Sequence, residues 1–249
     1  MIAQPISPSQ SPLRHVAPML DFAAAMFRAS LRDARGFMVT LMAPVMLLVV
    51  FGIAGNAEDL KYMLPFTIGL VAMFSGSALA QRIVNWRTQR VFQRLAVTPV
   101  PVGWLMLSMV LVQLVLTLLQ TIAVMAAGMA WAGITLTPGI LVATLGFVAL
   151  GTLCFLGFGA MLATFATRSE AVNSLYTFTL LPMSFLGGSV VEIPLLGKLG
   201  EFFPTTMFTR LLAVMIGKLD GAFLPLAVGG LVFYTLLFGG IALKRFRWE

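Results

Sequence analysis

The side chains with most to offer chemically are Arg82, Arg87, Arg90 and Arg94, gathered in the stretch RIVNWRTQRVFQRLAVTPVP from Arg82 to Pro101, which contains no acid. Guanidiniums without a carboxylate or imidazole beside them are poor acid–base or nucleophilic catalysts, but they hold anionic or carbonyl-rich surfaces well. Placed on a helix, Arg87, Arg90 and Arg94 fall at i, i+3 and i+7 on one face, with Val91, Phe92 and Leu95 largely opposite. Thr98-Pro99 and Pro101 then stop it, because proline cannot continue a helix and pushes its predecessor out of the helical region. The stretch reads as a short amphipathic helix along a membrane surface, a stiff handle. Its plain alternative is a basic loop obeying the positive-inside rule.

Catalytic readings fail on the residue inventory. Neither Gly197-Lys198 nor Gly217-Lys218 has a glycine five residues earlier, and neither lysine precedes Ser or Thr, so no phosphate-binding loop is present. The only histidine, His15, stands in a Pro/Ser-rich tail, and the only cysteine, Cys154, in an apolar run; no H-E-x-x-H pattern exists, and metal and disulfide chemistry lack donors. No acid falls inside a predicted membrane span, so an intramembrane protease lacks its catalytic pair. Ion-coupled carriers keep ionisable groups near the midplane; none is expected there, and the energy for pumping must come from elsewhere. Gln113, Thr117 and Gln120 form a polar stripe on the third span, and Asn173 and Tyr176 open the fifth; these read as interhelical hydrogen-bonding groups before ligands. Phe66, Met73 and Phe74 on the second span, with Met183 and Phe185 on the fifth, are candidates to line an apolar path, with ordinary packing or lipid contact as the alternative.

The elements that position these groups are membrane helices. A chain of 249 residues that is 59% hydrophobic and 10% charged is far from the roughly 25% charged composition of soluble domains. Its net charge of +7 collects at the ends of apolar spans, where headgroups and topology explain it better than nucleic acid. Residues 1–18 hold four prolines among Ser and Gln and read as a disordered cytoplasmic tail without a signal-peptide core; residues 19–249 read as a single transmembrane domain. From Met19 to Arg35, Leu20, Ala24, Phe27 and Leu31 make one stripe and Arg28, Arg32 and Arg35 another, predicting an interfacial amphipathic helix; a plain extension of the first span is the alternative. The expected fold is all-α, with six spans at Phe37 to Ile53, Leu64 to Val84, Val102 to Trp131, Ile140 to Ala166, Val172 to Val191 and Phe223 to Leu243. With the N-terminus inside, twelve basic residues are cytoplasmic and only Lys61, Lys198, Arg210 and Lys218 are outside, so both termini are expected in the cytoplasm. Between Glu192 and Gly221 an apolar run is broken by Pro194, Gly197, Gly200 and Pro204; two short helices dipping into the outer leaflet fit it, an ordinary folded loop being the alternative.

This layout resembles the permease subunit of a type-2 ABC transporter, in the class of small bacterial drug, lipid and polysaccharide exporters. The resemblance covers nearly the whole chain from Leu20. Arg94-Leu95 followed by Thr98-Pro99 is similar to that family's R-L-x-x-T-P at the end of a cytoplasmic coupling helix, and Pro204-Thr205 with Arg210 resembles its proline motif after the outer re-entrant helices. Where the family often carries an acid and then Gly-Thr-Leu, this chain has Trp86, Thr88, Arg90, Val91 and Phe92. The resemblance implies a permease dimer, as a homodimer or with a paralogue, in a bacterial plasma membrane. A separate ATPase subunit binds ATP and Mg²⁺ and pushes on Arg87 to Arg94 and on the connecting helix around Phe27, Arg28, Leu31, Arg32 and Arg35; this chain binds no cofactor itself. It also implies a pathway between protomers lined by the second and fifth spans, and it alone implies export. A hydrophobic drug or lipid-like substrate suits an uncharged path, with a polysaccharide as the alternative; a gradient-driven carrier or channel is the competing class.

Overall fold

A computed structural model describes residues 16–32, 42, 44–46, 49–50, 57–95, 101–132, 137–186, 200–215 and 221–245. Every regular element among them is helical: α1 (Val16–Arg32), α2 (Ala57–Thr88), α3 (Val91–Leu95), α4 (Val102–Ala132), α5 (Pro138–Ala163), α6 (Ser169–Leu186), α7 (Pro204–Met215), a 3-10 turn (Gly221–Phe223) and α8 (Leu224–Arg245). Four stretches are long and apolar enough to cross a membrane, Leu64–Thr88, Gly103–Ala130, Pro138–Ala163 and Gly221–Arg245. They coincide with the second, third, fourth and sixth expected spans. Most of the first expected span, Arg35, and the far end of the fifth beyond Leu186 lie outside the described residues. Prolines set several helix starts: Pro101 precedes α4, Pro204 opens α7, and Pro138 opens α5 after an extended Thr137. The helix α1 begins at Val16, inside the stretch expected to be a tail, because Pro18 falls in its first turn, where a missing N–H costs nothing.

Helix α2 is the hub, packing on α4, α5, α6 and α7. Burial of apolar surface does not drive such contacts in lipid, so close packing and interhelical hydrogen bonds must. The glycines show how. A side chain at Gly159 of α5 would overlap the backbone of Gly76 in α2, and one at Gly76 would overlap the Phe155 carbonyl and the Tyr176 hydroxyl. The two helices therefore cross backbone against backbone. Tyr176 of α6, fully buried, donates its hydroxyl proton to the Met73 carbonyl at the same crossing. Phe208 of α7 fills the notch at Gly151, midway along α5, and Met207 fills another at Gly230 of α8. Several buried hydroxyls bond within their own helices: Thr117 and Thr121 donate to the carbonyls of Gln113 and Thr117 at 2.8 and 2.9 Å, and Ser184 to that of Leu180 at 2.9 Å. Gln113, Thr117 and Gln120 are all buried on α4, inside the bundle.

The α2–α5 crossing makes a direct expectation. Gly159→Val should cost about 1–3 kcal/mol through overpacking, whereas Gly146→Val, whose added side chain meets open space, should be near neutral. Denaturant unfolding of the purified chain in detergent measures both.

Candidate functional site

The basic handle is built differently from one continuous helix. Helix α2 runs through Thr88, the chain turns at Gln89 and Arg90, and α3 restarts at Val91. Arg90 has φ 54°, in the left-handed region where a non-glycine residue costs roughly 1–2 kcal/mol. Hydrogen bonds hold the turn in place. The Gln89 N–H donates to the Asn85 carbonyl at 2.9 Å, the Arg90 N–H to the Arg87 carbonyl at 3.0 Å, and the Arg94 guanidinium to the Gln89 carbonyl at 2.8 Å.

This break separates the arginines expected on one face. Arg87 turns inward, and its guanidinium donates to the carbonyls of Ala163, at 3.0 Å, and Ala166. Ala163 is the last residue of α5, so the cation sits against the carbonyl end of that helix, where its charge is favoured. Arg90 and Arg94 remain exposed beside the exposed Gln93. Phe92 is only 3% exposed and packs on Trp86 with ring centroids 5.8 Å apart; Trp86 in turn meets Phe22 of α1 edge-on at 6.0 Å. Phe92 is thus an anchor inside the protomer, on the side of the short helix away from exposed Arg90 and Arg94. Its aromatic neighbours at positions 22 and 86 explain this, since a free ring would forfeit their contact. Val91 is half-buried, and the side chain of Leu95 lies outside the described residues.

Helix α1 shows three faces. Met19 is buried, with its carbonyl accepting from Ser108 of α4 at 3.2 Å, and Phe22 and Met26 pack the same way. Leu20 and Leu31 are 54% and 46% exposed, with Ala24 and half-buried Phe27 on their stripe, while Arg28 and Arg32 are exposed on a third side. The face that touches the bundle was missed in the sequence; its signal was the spacing of Met19, Phe22 and Met26.

The residues proposed for an apolar path separate as well. Met73 is 1% exposed, facing Tyr176 and Ser184, and so lies inside the protomer; neighbouring residues on a helix point about 100° apart. Phe74, by contrast, stands open, as do Leu175, Phe178 and Leu181 of α6, Phe178 at 79% exposure. Phe66 is half-buried, Met183 lines a cavity of about 10 Å³ with Phe155, Phe158, Leu180 and Phe238, and the Phe185 side chain lies outside the described residues. Asn173, expected to bond between helices, does so with partners the sequence did not single out: its Oδ1 accepts from Ser77 Oγ at 2.8 Å and from Gln81 Nε2 at 3.2 Å. It joins α2 to the first turns of α6.

A bundle of long apolar helices that closes on itself through glycine notches defines a multi-pass membrane protein. Residues 22–216 match the family model of the ABC-2 type transporter, and the chain belongs to that family, the permease of type-2 ABC transporters. Membership makes it a transporter subunit and implies an ABC ATPase partner. No curated protein matches the sequence.

The Arg87 contact makes its own expectation. Arg87→Ala should release the turn from α5 and speed tryptic cleavage at Arg90 and Arg94 by about tenfold, with Arg87→Lys intermediate. Limited proteolysis of the purified chain reads this.

Proposed function

We propose that the chain is the membrane subunit of an ATP-binding cassette exporter, paired with a second copy or a paralogue. Separate ATPase subunits carry ATP and Mg²⁺ and drive it; the chain itself catalyses nothing and binds no cofactor. The observation that carries this reading is the construction of the α2–α3 turn. Arg90 and Arg94 are exposed on its surface, while Arg87 ties the same turn to α5 and Trp86, packed between Phe92 and Phe22, ties it to α1. A partner that closes against the exposed arginines would therefore move helix ends rather than a slack loop.

In this arrangement the basic end faces the cytoplasm of a bacterial plasma membrane, with both termini on that side. The helix α1 lies in the inner interface, its Leu20–Leu31 stripe toward acyl chains and Arg28 and Arg32 toward headgroups. At the opposite end α7 enters without crossing, which the seat of Phe208 at the midpoint of α5 supports. The spans not described complete a six-span fold.

The pathway runs along the open side of α2 and α6. Phe74 and Phe178 supply apolar surface there, and the Ser77–Gln81–Asn173 network supplies uncharged hydrogen-bonding capacity. Neutral amides beside exposed aromatics suit a hydrophobic drug or a lipid-like molecule, since no fixed charge must be left behind when the substrate moves on.

The test separates docking from folding. In the double variant Arg90→Glu, Arg94→Glu, recovery of the ATPase subunit in co-purification should fall at least about tenfold, while stability falls by no more than about 1.5 kcal/mol, the worth of the Arg94–Gln89 hydrogen bond. Phe92→Asp should lose both partner binding and stability. Undiminished co-purification of the double variant, or transport that continues without ATP hydrolysis, would sink the reading.

A further inference from the structure

Among the described arginines, Arg82 is unlike the others. Arg87 is satisfied by two carbonyls, Arg210 pairs with Glu201 and lies over Phe223, Arg245 lies over Phe165, and Arg28, Arg32, Arg90, Arg94 and Arg168 are exposed. The Arg82 side chain is drawn into the protein, and its Nη1 is fully buried with no hydrogen-bond partner. Among the described residues the one ion pair is Arg210–Glu201, so no carboxylate answers Arg82. A buried guanidinium nitrogen without a partner is unfavourable, and the group cannot escape by losing its proton. An anionic group from outside the chain would complete it.

Position says what that is. Arg82 lies on one line of α2 with Leu64, five turns away, and beside Trp86, one turn on. Leu64 packs at Gly128 of α4 and Trp86 packs on Phe22 of α1, so this line faces α4 and α1. The α2 and α4 helices run antiparallel, and equal rise from the Leu64–Gly128 contact sets Arg82 at about the level of residue 110. Ser108, near that level, is already committed to the carbonyls of Met19 and Trp104 and offers no charge. Leu64, Trp86, Phe22 and the committed Ser108 thus offer no anion to the Arg82 guanidinium. Arg82 is six residues from the end of α2, about 9 Å along its axis. That is the depth at which a cationic side chain in a span reaches the phosphate layer.

We propose that Arg82 binds the phosphate of a membrane phospholipid whose acyl chains lie against α1, so that the lipid is a built-in part of the inner end of the bundle. The planar fork of arginine matches two phosphate oxygens at once, and the exposed Leu20–Leu31 stripe of α1 gives the chains an apolar bed. The site does not depend on the transport reading, only on α2 spanning the membrane.

Thermal unfolding of the full chain in detergent tests it, with phosphatidylglycerol, with diacylglycerol of the same chains, or with inorganic phosphate added. Phosphatidylglycerol should raise the wild-type midpoint by about 5 °C more than diacylglycerol. Arg82→Gln should abolish that difference, and Arg82→Lys should keep part of it. An equal response of the wild type to the two lipids overturns the proposal without recourse to any variant, as does an unchanged phosphatidylglycerol preference in Arg82→Gln. A full effect from inorganic phosphate alone overturns the lipid as the source of the anion.

Discussion

The close crossing of α2 and α5 at Gly76 and Gly159 is the constraint on which the remaining packing depends. Helices in lipid gain little from hiding apolar side chains, so they associate where backbones can approach and polar groups can bond across. Here both conditions meet at one point. The approach leaves room for the Tyr176 hydroxyl to reach the Met73 carbonyl, which brings α6 into the same joint. From that joint α2 supports α4, which in turn carries α1, and α5 supports α8. Phe155, Phe158 and Tyr176 pack around it, with Phe158 5.4 Å from Tyr176 and 5.1 Å from Phe238 of α8.

The same two helices are joined again at the basic end. Arg87 lies eleven residues beyond Gly76, about 16 Å along α2, and bonds to carbonyls at and just past the end of α5. Crossing and cap together make a closed frame of two helices with a bond at each corner. The aromatic series Phe22, Trp86, Phe92 fastens α1 and α3 to that frame. A force applied at Arg90 and Arg94 therefore acts on four elements at once. The left-handed backbone at Arg90 is the bend that lets one short segment serve both purposes, with its aromatic ring turned in and its cations turned out.

Much of this was legible in the sequence. Spans at 64–84, 102–131, 140–166 and 223–243 need only about twenty apolar residues and a proline or charge at the end, and these positions have them. That the stretch between two of these spans is basic was equally plain from four arginines without an acid. Which way each arginine pointed was not, because a helical wheel assumes an unbroken helix and nothing in Thr88-Gln89-Arg90 announces a left-handed residue. Adjacent Met73 and Phe74 looked equivalent as apolar side chains, yet one is buried and one open; only the position of α6 decides between them. Gly76, Gly151, Gly159 and Gly230 carried the packing information all along. Their partners lie 57 or more residues away for three of the four, and pairings at that distance cannot be read from local spacing.

The seating of α7 has a consequence for how the chain is made. Phe208 and Thr209 rest on Gly151 and Gly69, in helices synthesised before α7, whereas Met207 rests on Gly230, Tyr234 donates to the Phe202 carbonyl at 2.9 Å, and Arg210 lies over Phe223, all in the segment synthesised after it. Half of the socket is ready when α7 leaves the ribosome, and the other half does not yet exist. The seat of the helix is complete only once α8 is in place. A nascent chain halted before α8 would hold α7 only by its older side.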